Sequence, residues 1–217
     1  MTVANDSVAV TPGTGATIAT HLVGGKEYQA VVIADADGDV GGNPTYRLIV
    51  PPQAVGASKV HADLFNATGS GYRIKILSAF AFVNQDTAVT GTLGIQMSLT
   101  RTTAVGTGGT AATTEGTSVT AATISKLDTT MISLPTQITA RASPAAGATA
   151  GALLGTRFMF TEETNAGTAV ASAVGCEFVR TDGVKATVRE NQGVRFAQGS
   201  VASVGSIGFE ITFMLVA

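Results

Sequence analysis

The stretch GYRIKILSAFAFV, residues 71 to 83, decides the fold class because its apolar residues recur with a period of two. The face that this period predicts carries Tyr72, Ile74, Ile76, Ser78, Phe80 and Phe82. Arg73 and Lys75 begin the opposite face, which then also becomes apolar. Such alternation is typical of a β-strand with one side against a core. The stretch therefore predicts a strand that enters the core of a β-protein.

The same period, bounded by Gly, Pro, Asn or Asp, predicts further strands along the chain. They cover residues 28–33, 46–50, 60–65, 92–100, 154–161, 175–180, 184–189, 194–198 and 206–216. Asp182-Gly183 lies between two of these strands and predicts a hairpin turn. Helical spacing is not sustained over about ten residues anywhere, and the best short helix candidate covers residues 124–131. The sequence thus predicts an all-β fold.

Two segments nearly repeat each other: GTLGIQMSL at residues 91–99 and GSIGFEITF at residues 205–213. One interpretation is a duplicated β unit, and the other is convergence of glycine-punctuated strands in a Thr-rich chain. In both interpretations the segments are buried strands whose glycines allow a close backbone approach or a bulge.

Composition restricts the classes of function. The chain has 217 residues, 13% of them charged, and a formal net charge of -2. Such weak charge provides no long-range field to attract nucleic acid or an anionic membrane surface, so we expect neither as a partner. Cys176 is the single cysteine and permits no intrachain disulfide. The opening MTVANDSVAV lacks the features of a signal peptide, so we expect synthesis in a cytoplasm without export by that route.

Asp35, Asp37 and Asp39, in the stretch VVIADADGDVGG, are the candidate calcium ligands. Alternate carboxylates match the first three ligand positions of a calcium loop. The match fails at the sixth and twelfth positions, where such a loop needs Gly and Glu and this chain has Val40 and Tyr46. We therefore interpret the stretch as an acidic turn after an early strand, with calcium binding as the alternative.

Catalytic motifs are weak throughout. His21 and His61 have no second ligand or base at a suitable spacing, and Cys176 has no His nearby in sequence. Glu162 and Glu163 are adjacent, so on a strand they would point to opposite faces. The glycine run 106–109 is not followed by Lys-Ser or Lys-Thr, as a phosphate loop requires. We predict no enzyme activity and no cofactor.

Basic residues cluster near the C-terminus, in FVRTDGVKATVRENQGVRF. The basic members are Arg180, Lys185, Arg189 and Arg195, and the acidic members are Asp182 and Glu190. Their alternation predicts exposed cross-strand ion pairs rather than a surface for nucleic acid.

Three phrases, in this order, resemble segments of structural proteins from tailed bacteriophages. The first is TPGTGATIATHLVGGKEYQAVVIADADGD at residues 11–39. The second is GYRIKILSAFAFVNQDTAVTGTLGIQMSLTRTTA at residues 71–104, and the third is RENQGVRFAQGSVASVGSIGFEITFMLV at residues 189–216. Together they cover roughly half of the chain.

The resemblance implies a virion component with a jelly-roll-like β-sandwich, displayed as a homo-oligomer such as a trimer. We expect an extended N-terminal arm with an early strand at residues 1–45 and a sandwich domain at residues 46–217. The expected partners are copies of itself and the major capsid protein or other virion proteins. Capsid decoration or cementing is the favoured role. The alternatives are a tail, neck or fibre-base protein, or a glycan-binding module on the virion surface.

Overall fold

The computed structural model describes residues 19–23, 26–30, 43–84, 93–145, 150–161, 175–179 and 185–217. The chain divides into two compact units, Met1–Gly42 and Asn43–Ala217. In the first unit β1 (Ala19–Val23) and β2 (Lys26–Ala30) pair as an antiparallel two-stranded sheet. Whether residues 1–45 act as an extended arm stays a prediction.

The second unit consists of strands and their connections. Its strands are β3 (Thr45–Ala54), β4 (Val60–Asn66), β5 (Arg73–Asn84), β6 (Leu93–Thr102), β7 (Thr110–Ala111), β8 (Thr113–Thr114), β9 (Thr123–Lys126), β10 (Ile138–Ala142), β11 (Ala150–Thr161), β12 (Gly175–Val179), β13 (Ala186–Val188), β14 (Gln192–Gln198) and β15 (Ser206–Val216). Within the described ranges no residue is helical, and the all-β prediction is confirmed. The helix candidate at residues 124–131 is wrong, because β9 occupies its start and pairs Ile124 with Leu48 of β3.

The strands form two sheets. Sheet I has the order β11-β6-β14-β4-β10-β7, and sheet II has the order β12-β5-β15-β3-β9-β8, with β13 also on β5. Within them, β11-β6-β14-β4 and β12-β5-β15-β3 are the two four-stranded sheets of a jelly roll. The segment β7 to β10 is inserted between β6 and β11 and extends both sheets, with β10 beside β4 and β9 beside β3. The predicted jelly-roll-like sandwich is confirmed.

Alternate residues of facing strands fill the space between the sheets. Each side chain buried there comes from the inward face of its strand, as the period of two requires. Aromatic rings join the sheets at the centre: Phe196 of sheet I stacks on Phe209 of sheet II with ring centroids 4.6 Å apart. Phe178 meets Phe196 edge to face at 5.0 Å. This layer is the common core on which both sheets depend.

A β-bulge in β5 changes which residues face the core. Ile76 pairs with Phe213 of β15, but Ser78 pairs with the adjacent Thr212, so Leu77 is an extra residue. Beyond the bulge Ala79, Ala81 and Val83 are buried, whereas Phe80 and Phe82 are only half-buried. The prediction that Ser78, Phe80 and Phe82 share the face of Ile74 and Ile76 is therefore wrong, because one inserted residue reverses a period of two.

Phe82 and Phe80 cover glycines of the neighbouring strands instead. The ring of Phe82 occupies the space that a Cβ at Gly208 of β15 would need, and the ring of Phe80 does the same at Gly175 of β12. Gly208 belongs to the second of the near-repeats, so its expected role in a close approach is confirmed. The two near-repeats lie in different sheets, as β6 and β15.

Asp182 and Gly183 lie outside the described residues, but the strands on either side of them do not pair with each other as a hairpin requires. β12 pairs antiparallel with β5 from Phe82 to Ala79, and β13 continues antiparallel along β5 from Ile76 to Ile74. The two strands therefore run in the same direction along one edge of β5, on either side of its bulge. The reversal occurs at Glu190-Asn191, where Asn191 has a φ of 57° and the chain passes to β14 in sheet I.

The β5 bulge predicts losses of stability of different size for two neighbouring substitutions. Ala81→Asp places a carboxylate between the sheets and is expected to reduce the free energy of unfolding by at least about 3 kcal/mol. Phe82→Asp removes only half-buried apolar surface and is expected to reduce it by about 1–2 kcal/mol. Chemical denaturation measures both. A larger loss for Phe82→Asp than for Ala81→Asp would indicate that Phe82 faces the core, and it would contradict the bulge.

Candidate functional site

The structure describes only some of the predicted site residues. Asp35, Asp37 and Asp39 lie outside the described residues, as do Glu162 and Glu163. His21 belongs to β1, whereas His61 belongs to β4. In the described part of the chain, no three His, Cys, Asp or Glu side chains are close enough together to hold a metal ion. That part also contains no helix with the length and apolar character needed to cross a membrane.

His61 is buried between the sheets. A bulge turns it inward, because Ala62 pairs with Phe196 of β14 while Val60 already pairs with Ala197. The imidazole is fully buried, and its centroid lies 5.5 Å from that of Phe209. Burial lowers the pKa of His61 to about 4, so the ring is neutral at pH 7.

Gln198 holds this histidine and ties two loops to it. Its Oε1 lies 3.2 Å from His61 Nε2 and also accepts the Gly56 N–H at 2.9 Å. Its amide nitrogen donates to the Val201 carbonyl at 3.0 Å. His61 Nδ1 has no hydrogen-bond partner within the described residues. These contacts assign His61 and Gln198 a structural role at one end of the core.

Asp63 follows His61 by two residues on β4. Its cross-strand partners are Arg141 of β10 and Arg195 of β14. Its carboxylate is 2% exposed, and Oδ2 accepts the Gly106 N–H at 2.8 Å. A Cβ at Gly106 would collide with this oxygen and with Pro144. Burial raises the pKa of Asp63, while the Gly106 N–H and Arg141 oppose that rise.

The glycine run 106–109 therefore covers a buried carboxylate. Gly108 and Gly109 have φ values of 67° and 62°, a conformation that glycine adopts without strain. The Gly108 carbonyl accepts a hydrogen bond from Arg141 Nη1 at 3.1 Å. No sequence pattern connects this run with Asp63, because the two are distant in sequence.

The structure describes part of the C-terminal cluster for which cross-strand ion pairs are predicted. Glu190 accepts the Gly71 N–H at 2.9 Å and lies 3.3 Å from the Ser70 hydroxyl, so it caps a turn. These hydrogen bonds, led by that of Gly71, lower the pKa of Glu190. Arg195 Nε donates to Thr100 Oγ1 of β6 at 3.3 Å. Arg180 and Asp182 lie outside the described residues.

A pocket of about 600 Å³ opens beside β14 and the adjoining ends of β4 and β10. Its lining comprises Ser58, Lys59, Val60, Ser143, Pro144, Ala145, Arg195, Ala197 and Gln198. Val194 and Phe196 face the core, so the alternating Arg195 and Ala197 face away from it. The pocket thus lies on the outer side of sheet I, with two cations among its walls. No sequence pattern predicted it, because its walls come from three separate segments.

Apolar side chains are exposed along the edge strand β11. Leu153 is 61% exposed and Phe158 is 65% exposed. Their cross-strand partners on β6 are the uncharged Thr100 and Gln96. Cys176 is half-buried on β12, and burial raises the pKa of its thiol, which disfavours the nucleophilic thiolate.

No protein-family model, curated protein sequence or solved structure matches the chain.

The buried His61 predicts a defined pH dependence of stability. Because its pKa falls from 6.5 to about 4 on folding, the unfolded chain binds the proton more tightly. The resulting stability is fully present above pH 6.5 and is lost as the pH falls to about 4. At about 1.4 kcal/mol per pH unit, the loss is roughly 3 kcal/mol.

The measurement is urea denaturation of the wild type and His61→Gln across this pH range. The difference between the two isolates His61, because Asp63 and the other acids titrate in both. The wild type is expected to lose its advantage as the pH falls. A difference that stays constant from pH 6.5 to 4 would refute the prediction.

Proposed function

We propose that this protein is a non-enzymatic structural component of a tailed-bacteriophage virion, and that it decorates or cements the capsid. The observation that carries the proposal is the strand order, β11-β6-β14-β4 facing β12-β5-β15-β3. Jelly rolls with this arrangement build many viral shells. The phage-like phrases at residues 71–104 and 189–216 contribute β5, β6, β14 and β15, which are adjacent strands of this sandwich.

The fold by itself does not select the function, because lectin and cupin domains also use jelly rolls. The surface favours an assembly role. Leu153 and Phe158 are exposed opposite the uncharged Thr100 and Gln96, and an exposed apolar surface is typical of a protein contact. The net charge of -2 imposes little repulsion between copies brought close together.

The buried polar groups of β4 support a structural role. His61 is held by Gln198, and Asp63 is capped by the Gly106 N–H under a covering loop. Such groups fix loops to the sheets and leave little access for a substrate. A protein that must stay folded in a particle for a long time is stabilised by such internal hydrogen bonds.

Many weak contacts are sufficient for retention on a particle. A subunit that is bound by several modest contacts rebinds at high effective concentration before it can leave. A homo-oligomer, such as a trimer, multiplies the contacts of each copy with the shell. We therefore expect self-association and attachment to a virion neighbour to act together, with the protein located in the virion.

Counting the copies of the protein in purified particles tests the proposal. Quantitative mass spectrometry is expected to find hundreds of copies per particle, as a capsid-decorating protein requires. A few dozen copies in a multiple of three or six would replace the capsid with the tail, neck or fibre base. Absence from the particles, or saturable binding of a glycan panel as the main activity, would reject it.

Removal of residues 1–42 tests the predicted arm. The boundary follows the division between the two compact units, so the sandwich is expected to remain folded. The truncated protein is expected to be lost from particles because an arm contacts a neighbour. Circular dichroism checks the fold, and immunoblotting of particles measures incorporation. Wild-type incorporation of the folded truncated protein would show that residues 1–42 are dispensable for attachment.

A further inference from the structure

The pocket on the outer side of sheet I, here the β4–β14 pocket, has a fixed rim. Ser58 and Ser143 stand on its two sides with φ values of 55° and 46°, which non-glycine residues seldom adopt. The Ser58 N–H donates to the Gly199 carbonyl at 2.8 Å, and the Ser143 N–H donates to the His61 carbonyl at 2.8 Å. The Ser143 hydroxyl also contacts Gln53 Oε1. The surrounding structure therefore maintains this uncommon backbone conformation on both sides.

Positive charge predominates around the pocket. Lys59 and Arg195 line it, and none of its described lining residues is Asp or Glu. Asp63 lies opposite Arg195, but Arg141 lies on the other side of the same carboxylate. The three residues together carry one net positive charge, and Lys59 adds another. The neighbourhood thus favours an anionic ligand.

Lys59 is positioned by its own turn. Its Nζ donates to the Ala54 carbonyl at 2.6 Å, which leaves donor capacity on a group with three hydrogens. Burial lowers the pKa of Lys59, so its ammonium has lost part of its hydration. A carboxylate at this position would return some of the electrostatic stabilisation that burial removes.

The rest of the lining combines polar and apolar side chains. Ser58, Ser143 and Gln198 are polar, whereas Val60, Pro144 and Ala197 offer a hydrocarbon surface. The methylene groups of a glutamate side chain match such a surface, and its carboxylate matches Lys59 and Arg195. The lining contains no aromatic ring on which a sugar could stack, among the residues described.

A second pocket nearby provides a comparison. It measures about 250 Å³, shares Ser143, and is lined by Pro51, Pro52, Gln53, Thr110, Thr120, Ala121, Ala122 and Ala142. No charged residue belongs to this described lining. The larger pocket is therefore distinguished by both its volume and its cations.

We propose that the β4–β14 pocket binds a glutamate side chain in an extended acidic segment of a neighbouring protein. The peptide binding follows from the pocket itself, whereas the identity of the neighbour as a virion protein rests on the proposed function. The site would give the sandwich a directional contact, because a carboxylate must meet Lys59 and Arg195 together.

Titration of the full-length protein with a hexaglutamate peptide, followed by NMR, tests the site. Saturable shifts are expected at residues that line the pocket, and a hexaserine peptide is expected to cause none. Inorganic phosphate and glucuronate are tested in parallel. If either binds the same residues as tightly as the peptide, or if hexaglutamate causes no saturable shift there, the assignment is overturned.

Two double variants are compared, and each removes two positive charges. Lys59→Gln with Arg195→Gln is expected to weaken peptide binding about tenfold, as the loss of two solvent-facing ion pairs implies. Arg73→Gln with Lys75→Gln removes the same charge from sheet II, where both residues belong to β5, and is expected to change affinity less than about twofold. Equal weakening by the two pairs would reveal non-specific attraction and reject the site. Lys59→Gln alone, expected to weaken binding by a smaller factor, decides the case if the Arg195 variant does not fold.

Incorporation into particles separates the two proposals. If the wild type and the Lys59→Gln/Arg195→Gln variant enter particles equally, the pocket is not the contact while the virion role stands. If the wild type is absent from particles, the virion role fails, and the peptide titration still decides whether the pocket binds acidic peptides. Loss of the pocket variant alone supports both.

Discussion

The contact between the inner faces of the two sheets is the constraint on which the rest of the structure depends. Neither sheet can bury its apolar face without the other, and the stacking of Phe196 on Phe209 joins them at the centre. The strands β3, β4, β5 and β6 alternate between the sheets, so each connection crosses the end of the core. Local pairing of consecutive strands is thereby replaced by pairing between distant segments.

The C-terminal strand illustrates the consequence. β15 lies between β5 and β3, and its inward residues Phe209, Ile211 and Phe213 are all buried. Sheet II is therefore continuous only after the end of the chain has inserted between strands from its first half. A fold with so many contacts between residues that are distant in sequence is expected to form slowly.

The alternation of apolar residues with a period of two predicts much of this fold. The long strands β4, β5, β6, β11 and β15 were placed within a few residues, because each needs a continuous inward row of apolar side chains. The short strands β9 and β10 were missed, since four or five residues in a Thr- and Ala-rich segment give too little periodicity. The errors at Phe80 and Asp182 have another cause: a bulge and an interrupted edge depend on the partner strand and leave no local pattern.

The candidate sites were harder to predict, for a physical reason that β4 makes clear. All of its residues are buried, although VHADLFN alternates poorly, because one side meets the other sheet and loops cover the other. His61 and Asp63 owe their environments to Gln198 and Gly106, which are far away in sequence. The β4–β14 pocket likewise depends on three segments that only the folded chain brings together. Sequence patterns describe strands well, but they do not describe what covers them.

The edges of the sheets suggest how such a protein can associate without uncontrolled growth. Strand edges expose N–H and C=O groups that can pair with another copy indefinitely. Here β7 and β8 have two residues each, β11 is bulged between Ala150 and Gly155, and β12 has a register shift between Glu177 and Val179. The four edges of sheets I and II are therefore short or irregular in the part that the structure describes.

Because these edges disfavour edge-to-edge strand pairing, we expect any association to use side chains on the faces of the sheets. At the high local concentration of a particle surface, an open edge would compete with the intended contacts, whereas a pocket with two cations requires a particular partner. An N-terminal arm would, by the same reasoning, lie across a neighbour rather than extend its sheet. If the protein acts in a virion as proposed, specific attachment through faces and loops is the mode of assembly expected of this sandwich.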